Sequence, residues 1–366
     1  MSHLMDWFRR QFENPQIMFL MSMLVGVVAV VFFMGSYLGP VFAAVIIAYL
    51  MQGLVAKLEQ LGVNHMLATV FAFVLFVLVL FLILFGLLPS VARQMSQLVK
   101  QIPVILNGVQ DLFFQLQAKY PQYVSGQQIT DFVKNIGAAL IEGGQGIVGF
   151  SLNSIVTVMQ VLLYLVLVPL LVFFMIRDRE KITNWFRSFV PENYELAEKV
   201  WMEVNDQIGN YIRGKVWEIL IVGVAAYLVF RFLNLQYAEL LAVLTGVSVL
   251  IPYIGAAAVT VPVCAVAFFQ FGWGVELAKV FFAYGVLQAL DGNVLVPWLF
   301  SEVVDLHPVA IIVAILFFGG IWGFWGLFFA IPIATVVQAT LRSWPRAAVK
   351  QEDVNDGVDA DPGVQV

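Results

Sequence analysis

The chain has 366 residues, 61% of them hydrophobic and only 12% charged, with a mean hydropathy of +0.90. Soluble domains are about 45–50% apolar and about 25% charged, so this composition excludes a disordered chain and an ordinary soluble one and indicates an all-α polytopic integral membrane protein. The net charge of −5 gives no basic surface for nucleic acid, and much of the acid is gathered in the last residues.

Arg9 and Arg10 precede an apolar run over 17–34 that is just long enough to span. No small-x-small cleavage pattern follows it, so a retained anchor is expected rather than a cleaved signal. Gly35-Ser-Tyr-Leu-Gly-Pro40 turns the chain, residues 41–55 bring it back, and 57–64 form a short polar loop. Residues 67–88 are a third span, expected to stop at Pro89 because proline removes a helix donor. Residues 1–88 thus form an N-terminal group of three transmembrane helices.

Residues 89–150 are amphipathic rather than spanning, and form an extracytoplasmic helical segment. Leu98, Ile102, Ile105, Val109, Leu112 and Leu116 recur at spacings of three and four, which makes one apolar helical face. Tyr120-Pro121 breaks it, and Ile129, Phe132, Val133, Ile136 and Leu140 make a second. Such a stripe suits the membrane surface and equally suits a neighbouring subunit.

The fourth span lies within 151–176 and contains Pro169. A cytoplasmic amphipathic linker, 177–214, opens with the mixed-charge run Arg177-Asp-Arg-Glu-Lys181, which reads as a solvated helix end. Leu196, Val200, Val204, Ile208 and Ile212 then recur every fourth residue up to Gly214, which reads as a helix boundary or, alternatively, a hinge. Residues 216–232 are the fifth span. The Lys and Arg residues flanking the spans place both termini in the cytoplasm. Residues 346–366 form an acidic tail without apolar periodicity, expected to be disordered.

The C-terminal membrane core, 215–345, breaks where a plain helix should not. Ser248-Val-Leu-Ile-Pro-Tyr-Ile-Gly255, Asp291-Gly-Asn293, Ser301-Glu-Val-Val-Asp-Leu-His-Pro308 and Phe318-Gly-Gly-Ile-Trp-Gly-Phe-Trp-Gly326 all interrupt apolar sequence. Backbone groups freed in hydrocarbon are costly unless protein or a water-filled cavity satisfies them. Discontinuous helices or re-entrant hairpins around a polar site fit this pattern. So do simple kinks and close-packing points. Two hairpins are expected, over 240–271 and 308–341, because each apolar half is short and each tip is rich in Pro or Gly. That topology leaves 301–308 on the cytoplasmic side, whereas two single crossings would face them outward.

Asp291 is the most informative residue, since a carboxylate at bilayer depth is by default a functional-site hypothesis. With Asn293 it suits proton or cation coupling, or hydrogen bonding to a solute; a helix-capping Asp-Gly-Asn turn is the plainer alternative. Pro252, Tyr253 and Gly255 form a candidate tip. Glu302, Asp305 and His307 suit a gate, or simply a polar loop. Gly319, Gly320, Gly323 and Gly326, with Pro332, read as helix packing or hinge positions. Trp322 and Trp325 suit interface anchors. Cys264 has no disulfide partner, and His3, His65 and His307 lack metal-ligand spacing. Zinc-protease, nucleophile-elbow and Walker motifs are all missing, so neither an enzyme nor a P-loop motor is expected, and no motif calls for a metal or a cofactor.

Six stretches together resemble a known family: Tyr164-Leu-Val-Leu-Val-Pro-Leu-Leu-Val-Phe-Phe174, Asn210-Tyr-Ile-Arg-Gly-Lys215, Val249-Leu-Ile-Pro-Tyr-Ile-Gly255, Gln288-Ala-Leu-Asp-Gly-Asn293, Leu306-His-Pro308, and Gly319 to Gly326 through Ile331-Pro332. They are similar to the autoinducer-2 exporter family of bacterial inner-membrane proteins, the PerM-type permeases. The resemblance runs to about Pro345 and leaves the acidic tail outside. It implies a cytoplasmic-membrane transporter, a homo-oligomer (a pentamer), and hairpins that move as an elevator-like unit. Some relatives are associated with autoinducer-2 export and others with sodium/proton exchange. The implied partners are therefore the bilayer, further copies of the chain, and a small polar solute or a monovalent cation. Asp291, Asn293 and His307 are the polar residues that the matching motifs carry. An exporter of a small polar metabolite leads, with a sodium/proton-type antiporter and a non-transporting envelope scaffold built on 89–150 as alternatives.

Overall fold

A computed structural model of the chain describes residues 37–119, 155–188, 195–252, 254–300 and 306–342, with isolated positions within 22–34 and 134–138. The spans and faces expected at 17–34 and 129–140 lie almost wholly outside these residues, and the tail at 346–366 lies entirely outside them. Among the described residues the structure is helical, with no strand. Six segments are long and apolar enough to cross a membrane: Gly39–Gln60, His65–Gln115, Met159–Arg177, Ile254–Phe271, Val275–Phe300 and Pro308–Gln338. The protein is an integral membrane protein.

Helices α1 (Gly39–Gln60), α2 (His65–Leu82) and α4 (Ile155–Arg177) pack as one group. Ala44, Ala68 and Ala72 let the backbones approach, and Val55, Phe76, Val172 and Ile176 fill the remaining space. The turn between α1 and α2 is fastened locally. Asn64 caps α2 by accepting from the Met66 N–H at 2.9 Å, and His65 Nδ1 lies 2.6 Å from Glu59.

The expectation that Pro89 ends the third span is corrected. The helix widens into a π turn over Ile83–Leu87 and continues as α3 (Leu88–Lys119). Proline cannot donate to the carbonyl four residues back. The wide turn shifts the register, with the Leu88 N–H donating to the Ile83 carbonyl instead. The start of the amphipathic stripe then finds a partner inside the chain. Val91, Met95 and Leu98 pack against a core built from residues 226–284, far along the chain. Ser90 donates to Glu239, and Gln94 Oε1 accepts from the Leu240 N–H at 3.0 Å. Leu240 lies in the first turn of α7 (Ala238–Ser248), where N–H groups lack helical partners and Tyr237 offers no side-chain cap. Gln94→Leu is expected to strand that donor and cost about 1–3 kcal/mol, read as a lower melting temperature of the purified protein. Gln94→Glu, which keeps an acceptor, should lose less.

After the short α5 (Arg179–Arg187), α6 (Glu195–Phe232) runs for 38 residues with no boundary at Gly214. Its apolar half carries Lys215, Glu218 and Arg231, which sets it apart from the six segments above. Helix α7 folds back along α6, with Gly246 against Gly223. The chain then reverses into α8 (Ile254–Phe271). A side chain on Gly255 would collide with the Ser248 carbonyl, so only glycine permits this reversal. Leu241, Ala242, Val259 and Val263 form a core with Phe230 of α6 and with Val280 and Tyr284 of α9 (Val275–Leu290).

A second π turn, Asp291–Leu295, joins α9 to α10 (Val296–Phe300). This element runs antiparallel to α6: Tyr284 stacks on Phe230, and Phe300 lies beside Lys215. Helix α11 (Pro308–Arg342) doubles back at Gly323, whose φ of 57° and ψ of −130° suit glycine alone. Ala314 and Ile315 pack on Ala330, and Gly319 faces Leu327. In an unbroken helix, residues 314 and 330 would stand about 24 Å apart, so this segment is a helical hairpin. Gly326→Ala would press its methyl onto the Phe318 carbonyl, whereas Gly320 has nothing within 4 Å. Gly326→Ala is expected to cost about 1–3 kcal/mol by overpacking and Gly320→Ala to leave the melting temperature unchanged.

The two hairpins enter from opposite ends of α6. The first begins beside Phe232 and reaches down until Leu250 and Ile251 join Tyr211 and Ile212. The second begins near Leu306 and Ile311, which belong to the same cluster.

Candidate functional site

On α6, Tyr211, Lys215 and Glu218 follow one another at spacings of four and three, and so share a face. All three are buried. Lys215 Nζ bonds Glu218 Oε2 at 2.7 Å, with only 5% and 3% of the two side chains exposed. Gly214 has no side chain, which lets the Phe300 ring and the Leu299 carbonyl come down on α6. The Phe300 ring centre lies 5.4 Å from Lys215 Nζ, a cation–π contact that partly replaces the ammonium's lost water. One turn away, the Tyr211 hydroxyl donates to the Phe328 carbonyl of the second hairpin at 3.3 Å.

Asp291 opens the second π turn and is half-buried. It lies within electrostatic reach of both Lys215 and Glu218. Its Oδ1 is buried and has no hydrogen-bond partner. The turn forms for the same reason as the first one. Pro297 leaves the helix short of a donor, and the Val296 N–H reaches back to the Asp291 carbonyl. Such π turns recur at functional sites. The result is one buried ammonium bonded to one carboxylate and within electrostatic reach of a second, with the Phe300 ring over it. Burying ions is expensive unless they are paired and hydrogen-bonded, so this cluster is costly to hold and is not explained by packing alone.

The other sequence candidates separate from it. The Asn293 amide donates to the Ala289 carbonyl at 2.8 Å and its side chain is exposed, away from the cluster. Pro252 and Gly255 sit at the tip of the first hairpin, where Leu250 packs with Tyr211 and Phe328, and Ile251 also reaches Ala314 and Ile315. Tyr253, Glu302 and Asp305 lie outside the described residues. His307 is exposed, and its Nδ1 accepts from the Val309 N–H at 3.2 Å, which caps the start of α11. Gly319, Gly323, Gly326 and the buried Pro332 shape the second hairpin, while Gly320 faces open space. Trp322 stacks on Phe318 at the tip, and Trp325 meets Phe42 of α1. Among the described residues, no three His, Cys, Asp or Glu side chains group to hold a metal ion.

Glu218 went unnoticed in the sequence, and Lys215 entered there as a basic flank of the fifth span and as the end of the stretch Asn210–Lys215, not as a site residue. The available signal was a Lys and a Glu three residues apart in the opening turns of an apolar helix.

Comparison with known proteins agrees with this architecture. The profile described as "AI-2E family transporter" matches residues 20–346. "Putative permease PerM" of Escherichia coli (strain K12) is 44% identical over 349 residues, covering 95% of this chain and 99% of that one. "Putative transport protein YrrI" of Bacillus subtilis (strain 168) is 26% identical over 307 residues, covering 82% and 85%. "Putative transport protein YueF" of the same organism is 24% identical over 322 residues, covering 84% of each. The chain, with its all-helical membrane architecture, belongs to the AI-2E transporter family.

Proposed function

We propose that the protein is a secondary transporter of the bacterial cytoplasmic membrane that exports a small polar metabolite such as autoinducer-2. The observation that carries this reading is the meeting of two helical hairpins, entering from opposite ends of α6, in the apolar cluster around Tyr211, one turn from the buried Lys215–Glu218 pair. Secondary transporters build their sites in this way, from interrupted helices near mid-membrane. The 11 residues of α7 measure about 16 Å, and the two halves of α11 about 22 Å and about 28 Å, short of the roughly 30 Å of hydrocarbon. These lengths support re-entrant hairpins, which belong to this reading together with 301–308 and both termini in the cytoplasm. A cysteine introduced at Val304 should then resist an impermeant thiol reagent applied to intact cells. The assembly we propose is a homo-oligomer, and an ion gradient or the solute's own gradient drives transport.

The charged cluster also favours a second reading, exchange of a monovalent cation for protons. Autoinducer-2 release from cells with matched amounts of the protein should exceed that of empty-vector cells. Equal release would remove this solute. Sodium-dependent pH changes in everted vesicles would then decide for cation exchange.

A further inference from the structure

The cluster at the π turn does not balance in charge. Lys215 contributes one positive charge and Glu218 one negative charge, and the two are bonded and buried. Asp291 adds a second negative charge beside them, and the Oδ1 of that side chain is sealed from solvent without a donor. An uncompensated buried charge is far more costly than a neutral group or a complete pair.

Among the described residues, Lys215 is the one charge that offsets Asp291. Tyr211 is already bonded to the Phe328 carbonyl, and Tyr284, two turns up α9, is bonded to Gln288. Arg213 donates to Asn210 at 2.7 Å and is not among the charges that act on Asp291. On α7, Thr245 and Ser248 donate to the Leu241 and Thr245 carbonyls, and on α10 the Phe300 ring covers Lys215; none of the three is charged. Described α11 contributes no ionisable side chain before Arg342. Among the described residues, no three His, Cys, Asp or Glu side chains group around Oδ1 to hold a metal ion. A proton needs one oxygen.

We propose that Lys215, Glu218 and Asp291 form a charge-counting site that takes up one proton, on Asp291 Oδ1, and so keeps the buried cluster neutral. The proton comes from solvent, adds to the carboxylate and creates a carboxylic O–H; no other bond forms or breaks. Lys215 acts as a built-in cation that satisfies one of the two carboxylates and leaves the other for the mobile charge. The inference deepens the transport reading by giving that site a coupling ion, but it is measured without transport.

The test is infrared difference spectroscopy of the purified full-length protein in lipid, titrated from alkaline to acid pH, reading the carbonyl stretch of buried carboxylic acids. The wild type should show one such acid. Asp291→Asn should show none, and so should Glu218→Gln, because each leaves Lys215 paired with a single carboxylate. Lys215→Met should show two. Single variants that break the ion pair risk misfolding. Asp291→Asn leaves the pair whole, and Lys215→Met/Glu218→Gln removes both partners and should again show one. A signal that survives in Asp291→Asn overturns the proposal. So does a signal that Glu218→Gln leaves undiminished, since Asp291 would then bind its proton without regard to charge balance. A signal that disappears on adding sodium at fixed pH also overturns it, by assigning the site to a metal cation. Failure of any of these leaves the export experiment untouched, and loss of export with an intact proton count would reject the transport reading alone.

Discussion

Asp291→Asn is expected to reduce export to the level of empty-vector cells while the protein accumulates and melts as the wild type does. The substitution keeps the size and shape of the side chain. It leaves the backbone of the Asp291–Leu295 turn alone, because the Asp291 carbonyl, not its carboxylate, receives the Val296 N–H. What disappears is the carboxylate that can take up and release a proton beside a bonded ion pair. The pair left behind is balanced, so folding should not suffer. Asn293→Ala is the matched control. Asn293 is two residues away and carries a polar group of similar size, but its amide is spent on the Ala289 carbonyl and it faces away from the cluster. It should export as the wild type does. Wild-type export from Asp291→Asn at equal abundance would remove Asp291 from the pathway.

The second large effect concerns stability. Lys215→Met should destabilise the protein by about 3–5 kcal/mol, because it strands the Glu218 carboxylate in a site with 3% of its side chain exposed. Lys215→Met/Glu218→Leu should recover most of that loss, since a buried pair replaced by apolar groups of similar volume is often neutral or stabilising. Melting of the three purified proteins under identical lipid conditions measures this. The double variant should melt well above the single one and close to the wild type. A double variant that melts no higher than Lys215→Met would mean that the two residues are not energetically coupled. Restored stability without restored export would also separate the cluster's structural cost from its use.

Much of the fold was legible because length and hydrophobicity fix membrane helices directly. The runs at 41–55, 67–88 and 151–176 match α1, α2 and α4 closely. Hairpin tips were legible for a related reason. Glycine at 255 and 323 marks places where a side chain would strike the backbone or where φ must be positive. The misreadings share a physical cause. Pro89 looks like a terminator, yet a wide turn absorbs its missing donor. Gly214 looks like a joint, yet it is an indentation that receives Phe300 from a helix some 85 positions onward. The stripe on α3 looked unpartnered because Leu98 meets elements that lie far along the chain. In the site, Asp291 was visible because a lone carboxylate in apolar sequence is conspicuous. Glu218 was hidden because its neighbour Lys215 made the region look like a charged boundary. Which of Asp291 and Asn293 turns inward depends on helix phase, and composition says nothing about phase.

That phase is itself set by the wide turn. Along a regular α-helix each residue advances by about 100°, so nine steps from Asp291 to Phe300 would leave the two on opposite sides, about 180° apart. The turn over Asp291–Leu295 takes in roughly one extra residue and reduces the difference to about 80°. Both side chains can then look toward α6, one supplying a carboxylate and the other an aromatic face. A helical wheel drawn without interruption from Val275 would send the ring toward lipid. The surplus residue thus acts as an angular gear, and deleting Val294 would keep every polar group of the cluster while turning the ring away from the ammonium it covers.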